Sequence, residues 1–344
     1  MSSMKIVWVV PQYALKTDAA GLRTNIASIR YRALIPAQGL IARGHLASVV
    51  GLNAERLDEV REQLAGADRV VFIKNYLEPD CSERLLVDLR SRGVKTLFDL
   101  TDDRFQGESG GHLQNMVAHA QAVVTVSPAL RQIIKQHTGK DSAIVGDPYE
   151  GSRGVPKWSP DGRRLKALWF GYGPNIISLR QAFPSLLEAG AKHPMDLRIV
   201  TAEVDDIERD CKAFNSKYRH ALALRYAKWS KDETWNSLAA TDFVVIPALP
   251  NSPWTLAKSS NRIIESLWSG RFVVAHPIPS YMEFKDWAWI GANLAEGIEW
   301  MRQNGSKIVE RIAAAQDHIA RAYSPDSIAA QWEQILEKAY SRLR

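Results

Sequence analysis

The feature that most constrains the fold is a series of short apolar runs rich in Val and Ile, separated by stretches with helical spacing. In the first half of the chain these runs are "KIVWVV", "LASVVGL", "RVVFIKNY", "KTLFDLTDD", "AVVTVSPAL" and "SAIVGDP". Strands that are apolar throughout, with helices between them, are typical of a parallel sheet that is covered on both faces. The sequence therefore predicts an α/β fold.

The stretch "VSPALRQIIKQ" shows how such a strand passes into a helix. Ser127 is a suitable N-cap, and Pro128 suits the first helical position. Leu130, Ile133 and Ile134 then form an apolar stripe at helical spacing. We expect a capped helix that packs on the sheet.

The alternation of strands and helices pauses once, which predicts two domains. Residues 147–164 hold three prolines and three glycines among many charges, as expected of a linker. Apolar runs then resume with "LKALWFGYG", "DLRIVTAE", "LALRYAKW", "DFVVIPAL" and "RFVVAHPIP". We predict domains over 1–150 and 151–326 whose strand carboxyl ends surround a shared cleft. The last segment, 327–344, is predicted to be a helix that packs back on the first domain.

Composition excludes several classes of protein. With 46% hydrophobic and 24% charged residues, the chain has enough apolar material for two cores. Its two cysteines are too few for a disulfide framework and fit a reducing cytoplasm. No segment reaches the roughly 18 apolar residues of a membrane span, and the N-terminal apolar run is too short for a signal peptide. The net charge of +6 favours an anionic partner, which could be nucleic acid, a membrane face or a phosphorylated small molecule.

A polar run opens the stretch "KSSNRIIESLWSGRFVVAH" at residues 258–276. The spacing predicts a helix from near Ser260 to a stop at Gly270, followed by a strand. The apolar side chains on one face are Ile263, Ile264, Leu267 and Trp268, and the polar ones on the other are Lys258, Asn261, Arg262 and Glu265. One interpretation is a capped surface helix with a solvated charged face.

The other interpretation of this run is an anion site. A helix N-terminus offers unpaired N–H groups and the positive end of the helix dipole, which suit a diphosphate. Lys258 adds a charge near the phosphates, while Ser259, Ser260 and Asn261 add polar groups. Glu265, one turn further in, could accept hydrogen bonds from sugar hydroxyls.

Four segments carry a resemblance to a known family. They are "SIRYRALIPAQGLIARGHLASVV", "VVTVSPALRQII", "LRYAKWSKDETWNSLAATDFVVIPAL" and "SNRIIESLWSGRFVVAH". With these segments the chain resembles the GT-B glycosyltransferases and is most similar to their retaining family-four group. The resemblance implies two Rossmann-like domains facing a central cleft. The second would bind a UDP- or GDP-linked sugar and the first a sugar or lipid-linked acceptor, with no nucleic acid partner.

The chain departs from this family at one position. The family often carries two glutamates with seven residues between them, and Glu265 matches the second, which implies a ribose contact. The first falls on Ala257, which has no carboxylate. The adjacent Lys258 is predicted to take over part of the donor contact. Sugar, base, acceptor and stereochemical outcome therefore stay open, as does whether the lost glutamate abolishes activity.

Further candidate residues lie on the predicted donor side. Gly21 follows the first strand, where a glycine lets the backbone approach a phosphate. Gly171 and Asn175, in "FGYGPN", end the first strand of the second domain. The family resemblance implies a diphosphate contact for Arg180. Trp229 could stack on a nucleobase, although core packing explains it equally well.

On the acceptor side, Asp102 follows a strand in "LFDLTDDRF" and could orient a hydroxyl or act as a general base. The alternative is that Asp102, or its neighbour Asp103, caps the next helix. The sequence has no C-x-x-C, H-E-x-x-H or D-x-D motif, so we predict no metal site. Lys258, Arg180 and helix N–H groups would instead stabilise the departing diphosphate.

The preferred hypothesis is a cytoplasmic, metal-independent glycosyltransferase that acts in cell-surface polysaccharide or glycolipid synthesis. The alternatives are a non-hydrolysing nucleotide-sugar epimerase and a non-catalytic binding protein of the same fold. Four arginines in the first 43 residues predict peripheral contact with the inner membrane face, unless they only solvate helix faces. They are Arg23, Arg30, Arg32 and Arg43.

Overall fold

The computed structural model describes residues 3–19, 21–74, 79–158, 164–249 and 252–341. Its contacts divide the chain into two units, each built around a six-stranded sheet. The first unit comprises Met1–Pro148, Ala257–Ser259 and Ala322–Arg344, and the second comprises Tyr149–Leu256 and Ser260–Arg321. The chain thus leaves the first unit inside the predicted linker, of which residues 159–163 lie outside the described part.

The described strands of the first unit follow the apolar runs, except for two short strands at Lys16–Asp18 and Gly21–Arg23 that were not predicted. The strands are β1 (Lys5–Pro11), β2 (Lys16–Asp18), β3 (Gly21–Arg23), β4 (Leu46–Leu52), β5 (Arg69–Ile73), β6 (Lys95–Leu100), β7 (Ala122–Thr125) and β8 (Ala143–Ile144). β2 and β3 form an antiparallel hairpin. The others form a parallel sheet in the order β4-β1-β5-β6-β7-β8.

Helices cover both faces of this sheet. They are α1 (Ala27–Ile29), α2 (Ile35–Ala42), α3 (Leu57–Gln63), α4 (Pro79–Ser91), α5 (Gly110–His119) and α6 (Pro128–Thr138), with a π-helical turn at Arg30–Leu34 and 3-10 turns at Gln12–Ala14 and Ala54–Arg56. Alternate residues of β1 enter different apolar clusters: Val7 and Val9 enter one, Ile6 and Trp8 the other. The strand is therefore buried on both faces, as predicted.

The cap of α6 is also confirmed. The Ser127 hydroxyl accepts a hydrogen bond from the Leu130 N–H at 3.2 Å. Leu130 and Ile134 are fully buried, and Ile133 packs against the same cluster. Capping and an apolar stripe together fix this helix on the sheet.

The second unit has the strand order of a Rossmann-like fold. Its strands are β9 (Leu165–Gly171), β10 (Met195–Thr201), β11 (Leu222–Lys228), β12 (Phe243–Ile246), β13 (Phe272–Ala275) and β14 (Trp289–Ile290). They are parallel and lie in the order β11-β10-β9-β12-β13-β14. The order reverses between β9 and β12, which is where ligands bind in open sheets of this kind.

The helices of the second unit include the one predicted near Ser260. They are α7 (Ile176–Lys192), α8 (Ile207–Tyr218), α9 (Lys231–Ala240), α10 (Pro253–Leu256), α11 (Asn261–Trp268), α12 (Leu294–Gln303) and α13 (Gly305–Ala322), with 3-10 turns at Gly173–Asn175 and Pro279–Phe284. Gly270, at φ +77°, follows α11, and its N–H donates to the Leu267 carbonyl at 2.9 Å. The predicted glycine stop is confirmed.

The last helix, α14 (Pro325–Ser341), packs within the first unit. A Cβ at Gly39 of α2 would lie 2.6 Å from the Ala329 Cβ, so only glycine allows this approach. Arg43 donates to the Glu333 carboxylate at 2.8 Å, and Glu333 also bonds the His45 ring at 2.8 Å. Residues 342–344 lie outside the described part. Among the helices described, none combines the length and apolar character that a membrane crossing requires.

Candidate functional site

A glycine-containing turn lies at the carboxyl end of β9, beside the reversal in strand order. Gly171 ends β9, and the turn Gly173–Asn175 leads directly into α7. The buried Thr201 hydroxyl donates to the Gly171 carbonyl at 2.8 Å and so ties this turn to β10. A Cβ at Gly173 would lie 3.1 Å from a methyl of Val204, so the turn is tightly packed. The structure places predicted Gly171 and Asn175 where a ligand of this sheet would bind.

Arg262 brings a positive charge to this turn. Its Nη1 lies 3.6 Å from the position that a Cβ of Gly171 would take. That nitrogen is buried and has no hydrogen-bond acceptor among the described residues. A buried guanidinium nitrogen without an acceptor suits an anionic ligand. Helical spacing puts Arg262 on the polar face of α11 without marking it as a donor contact, and the run "KSSNR" is the signal that could have found it.

Glu265 is buried, with 4% of its surface exposed. One carboxylate oxygen accepts the Glu150 N–H at 2.9 Å. The apolar face of α11 is buried as predicted, but the interpretation of a solvated charged face is wrong for Glu265. A buried carboxylate is costly unless it is hydrogen-bonded, and the Glu150 N–H meets part of that cost.

The start of α11 is partly as predicted. Ser260 occupies the N-cap position, yet within the described part its side chain makes no capping bond. Asn261 is the first helical residue and is half-buried. Ser260 and Asn261, two predicted donor contacts, thus lie at the start of the helix.

Two other predicted donor residues have contacts elsewhere in the second unit. Arg180, on α7, pairs with Asp210 of α8 at 2.7 Å, and both side chains are about half-exposed. Trp229 follows β11 and is half-buried, and its backbone N–H donates to the Thr201 carbonyl at 2.8 Å. Arg262, rather than Arg180, is therefore the cation found beside Gly171.

The first unit holds a separate cluster of charged side chains at the carboxyl edge of its sheet. Lys74 follows β5, Asp99 and Asp102 lie in and after β6, and Asp147 follows β8. The segment Ala257–Ser259 joins them, although its chain neighbours belong to the second unit. The carboxyl ends of parallel strands meet at one edge, so residues distant in sequence come together here.

Asp102 lies between two lysines. Lys74 donates to one of its oxygens at 2.8 Å, and Lys258 donates to the other at 3.0 Å. Burial alone would raise the pKa of Asp102, but the two ammonium groups hold it far below its usual range. A carboxylate with so low a pKa is a weak proton acceptor at neutral pH. With both lysines in contact, Asp102 is thus poorly suited to act as a general base.

Arg32 is the centre of a buried ionic group. It lies in the π-helical turn, has no exposed side-chain surface, and donates to both oxygens of Asp99 at 2.8 Å each. It also donates to the carbonyls of Val145 and Gly146, and lies 3.7 Å from an Asp147 oxygen. Burial lowers the pKa of Arg32, but the two carboxylates outweigh that effect and raise it. Burial raises the pKa of both Asp99 and Asp147, and Arg32 opposes both increases.

The buried position of Arg32 corrects a prediction. Arg32 is one of the four arginines predicted to contact a lipid surface, but a fully buried side chain cannot contact lipid. Arg43 is also engaged, with Glu333 at 2.7 Å and Asp326 at 3.0 Å. Arg23 pairs with Asp18 at 3.3 Å and is largely exposed.

The segment before α11 places Ala257, the position where the resemblance implied a glutamate, in an apolar environment. Ala257 has 1% of its surface exposed and packs in the apolar core of the first unit. Its carbonyl accepts the Ser127 hydroxyl at 3.0 Å, and the Ser259 hydroxyl opposes the rise that burial causes in the pKa of Asp147. A carboxylate at this apolar position would carry a large desolvation cost. Lys258 and Ser259 make their described contacts in the first unit, so the phosphate contacts predicted for them stay predictions.

Gly21 lies in the hairpin of β2 and β3 at φ +105°, a conformation that favours glycine. No described atom lies within 4 Å of the position of a Cβ there. The hairpin turn alone accounts for this glycine, and its predicted phosphate contact stays a prediction.

Solved structures with similar folds span the whole chain. A glycosyltransferase from Rickettsia africae ESF-5 is 14% identical at a TM-score of 0.70, covering 98% of this chain and 99% of that one. The catalytic domain of starch synthase IV from Arabidopsis thaliana, bound to ADP and acarbose, is 10% identical and has a TM-score of 0.68. The match covers 99% of this chain and 100% of that one. A glycosyltransferase of avilamycin A biosynthesis is 12% identical and has a TM-score of 0.63, and the match covers 98% of each chain.

No known protein family matches the sequence, and no curated protein matches it either. At identities of 10–14% the structural likenesses show the fold. Two units with six-stranded parallel sheets and covering helices match the glycosyltransferase architecture that the sequence predicted. The chain has the GT-B fold.

Proposed function

We propose that this protein is a glycosyltransferase that moves a sugar from a nucleoside diphosphate to an acceptor hydroxyl. The observation that carries the proposal is the likeness to glycosyltransferase folds over 98% of this chain and 99% of the other. Both six-stranded units of that fold are present in the described residues, which supports a protein that binds two substrates.

The donor would bind at the carboxyl end of β9. The turn from Gly171 to Asn175 supplies backbone groups, and the start of α11 supplies Ser260 and Asn261. Arg262 would contact the diphosphate, since its Nη1 lies beside Gly171 without an acceptor in the described residues. Glu265, three residues further along α11, would accept the ribose hydroxyls. The starch synthase domain, which is bound to ADP, supports a nucleoside diphosphate as the ligand class.

The chemistry requires stabilisation of the departing diphosphate. As the bond to the sugar breaks, negative charge grows on the phosphate oxygens, and preorganised cations and N–H groups lower the barrier. Arg262 and the N-terminal N–H groups of α11 meet this need without a metal ion. Lys258 is proposed as a second phosphate contact, and the ionised Asp102 as a group that orients the acceptor hydroxyl.

The biological setting is part of the same proposal. A lipopolysaccharide outer core galactosyltransferase has a similar fold, with a TM-score of 0.58 over 97% of this chain. We infer a role in cell-surface polysaccharide or glycolipid synthesis, in the cytoplasm, by a retaining enzyme of the family-four kind. Peripheral membrane contact would depend on exposed residues such as Arg23, since Arg32 is buried.

The test is incubation with UDP-, GDP- and ADP-linked sugars while released nucleoside diphosphate is measured. We expect release from at least one donor, increased by the right acceptor. Arg262→Met should lower kcat/KM by about 10²-fold or more, as loss of one charge-stabilising donor does. Arg180→Met, which removes an exposed arginine paired with Asp210, is the matched control and should keep kcat/KM. Absence of release from every donor would overturn the proposal.

A further inference from the structure

A cavity lies at the edge of the second-unit sheet where the strands begin, opposite the edge that carries the Gly171 turn. It measures about 660 Å³ and is bounded by Arg164 before β9, Asp196 at the start of β10, and the turn after α8 with Arg219 and His220. The edge strand β11 supplies its remaining wall through Leu224 and Arg225. This volume is within the range of small-molecule sites.

The cavity is distinct from the proposed donor site. Its walls come from the amino ends of the strands, whereas the Gly171 turn lies at their carboxyl ends. Strand β10 has seven residues, so its two ends are separated by about 20 Å at 3.3 Å per residue. A ligand in one site cannot touch the other.

The carboxylate in this cavity is already neutralised. Arg164 donates to Asp196 at 2.9 Å and to the carbonyls of Met195, Arg219 and His220 at 2.6–3.0 Å. These bonds also fix the turn that carries the next two basic side chains. Asp196 therefore does not repel an incoming anion as an isolated carboxylate would.

Two arginines of the cavity have no charged partner. The exposed side chains of Arg219 and Arg225 form no ion pair or hydrogen bond with any described residue. Other arginines of this unit are paired with carboxylates: Arg180 with Asp210, Arg198 with Glu233, and Arg209 with Asp206. Arg219 and Arg225 thus keep their donors for a ligand.

The surrounding chain is unusually basic. Residues 211–231 contain six lysines and arginines and no Asp or Glu. Lys228 pairs with Glu203 and Lys231 with Glu150, while the other four are exposed. The local electrostatic field is positive, which favours a doubly charged anion over a neutral molecule.

The cavity also has an apolar part. Ala223 and Leu224 are buried there, and the Asn215 amide bonds both backbone groups of Leu224 at 2.7–2.9 Å. The edge strand is closed at this point, so an added peptide strand could not pair with Leu224. A small organic molecule with a charged end fits better than an extended chain.

We propose that this cavity binds a small phosphorylated metabolite, with the phosphate held by Arg219 and Arg225. The phosphate accepts hydrogen bonds from the two guanidinium groups, and the organic part lies along β11 at Ala223 and Leu224. The site is independent of the donor site and of the proposed glycosyl transfer.

The test is calorimetry with ribose 5-phosphate, inorganic phosphate and ribose, each in the presence of saturating UDP. Ribose 5-phosphate should bind once per chain, inorganic phosphate more weakly, and ribose not at all. Arg219→Gln combined with Arg225→Gln should weaken ribose 5-phosphate binding by about tenfold or more. Arg209→Gln, which removes an exposed arginine of the same unit outside the cavity, is the matched control and should bind as the wild type does.

Hydrogen exchange should place the ligand, with slower exchange confined to residues 219–225. Equal affinity in the double variant, absence of ribose 5-phosphate binding in saturating UDP, or slower exchange only outside residues 219–225 would each overturn the proposal.

Discussion

Removal of Arg32 should destabilise the first unit strongly. Its guanidinium neutralises Asp99 through two bonds of 2.8 Å and lies 3.7 Å from Asp147, with all three side chains buried. Arg32→Met preserves much of the side-chain volume but leaves two carboxylates without their cation. Breaking a buried ion pair from one side costs about 3–5 kcal/mol. For a unit of this size, that corresponds to a fall in Tm of roughly 6–20 °C.

The loss of stability caused by Arg32→Met should depend on pH. Burial places the pKa of Asp99 and Asp147 above the usual range, and loss of Arg32 would raise both further. A carboxyl whose pKa is higher in the folded state binds protons more readily when folded, so its contribution to stability falls as pH rises. The gap between Arg32→Met and wild type should therefore be larger at about pH 7 than at about pH 5.

Differential scanning calorimetry at both pH values measures this. Arg131→Met is the matched control, because Arg131 also bonds both oxygens of an aspartate, Asp141, at 2.7 Å, but on the surface of the same unit. It should leave Tm nearly unchanged. If Arg32→Met lowered Tm no more than Arg131→Met does, or if its deficit grew toward low pH, the buried-pair explanation would be wrong.

Three further predictions concern ligands and surfaces. Lys258→Ala should weaken UDP or GDP binding by about 1.5–3 kcal/mol through loss of a phosphate contact, and calorimetry showing unchanged affinity would remove Lys258 from the donor site. Glycosyl transfer should continue in excess EDTA, because cationic side chains stabilise the diphosphate; activity that is lost and returns only with manganese or magnesium would contradict this. The protein should sediment with anionic liposomes at low salt and be released near molar salt, since each basic residue at such a surface contributes about 1 kcal/mol; equal partitioning to neutral liposomes would argue against it.

Local signals in the sequence were enough for the fold. The apolar runs became the strands of both sheets, and Ser127 and Gly270 marked helix ends as predicted. These features depend on residues a few positions apart, whose backbone preferences are read directly from the chain. Two α/β units followed from the order of these runs, whereas the GT-B architecture was implied by the resemblance of four segments to that family.

The positions of the charged side chains could not be predicted in the same way, because they depend on contacts between residues far apart in the sequence. Arg32 pairs with an aspartate 67 positions away, inside a π-helical turn that shifts the helical register. Glu265 lies on the polar face by spacing, yet the backbone of Glu150 covers it from 115 positions away. Helical periodicity cannot reveal that a polar face is covered by another segment.

The central claim is that the second unit binds a nucleoside diphosphate at the carboxyl end of β9. A crystal structure of the protein with UDP, GDP or ADP tests it most directly. We predict the diphosphate against Gly171 and Arg262, with the ribose hydroxyls on the Glu265 carboxylate. A nucleotide bound at any other place on the second unit, or none bound at saturating concentration, would contradict the claim.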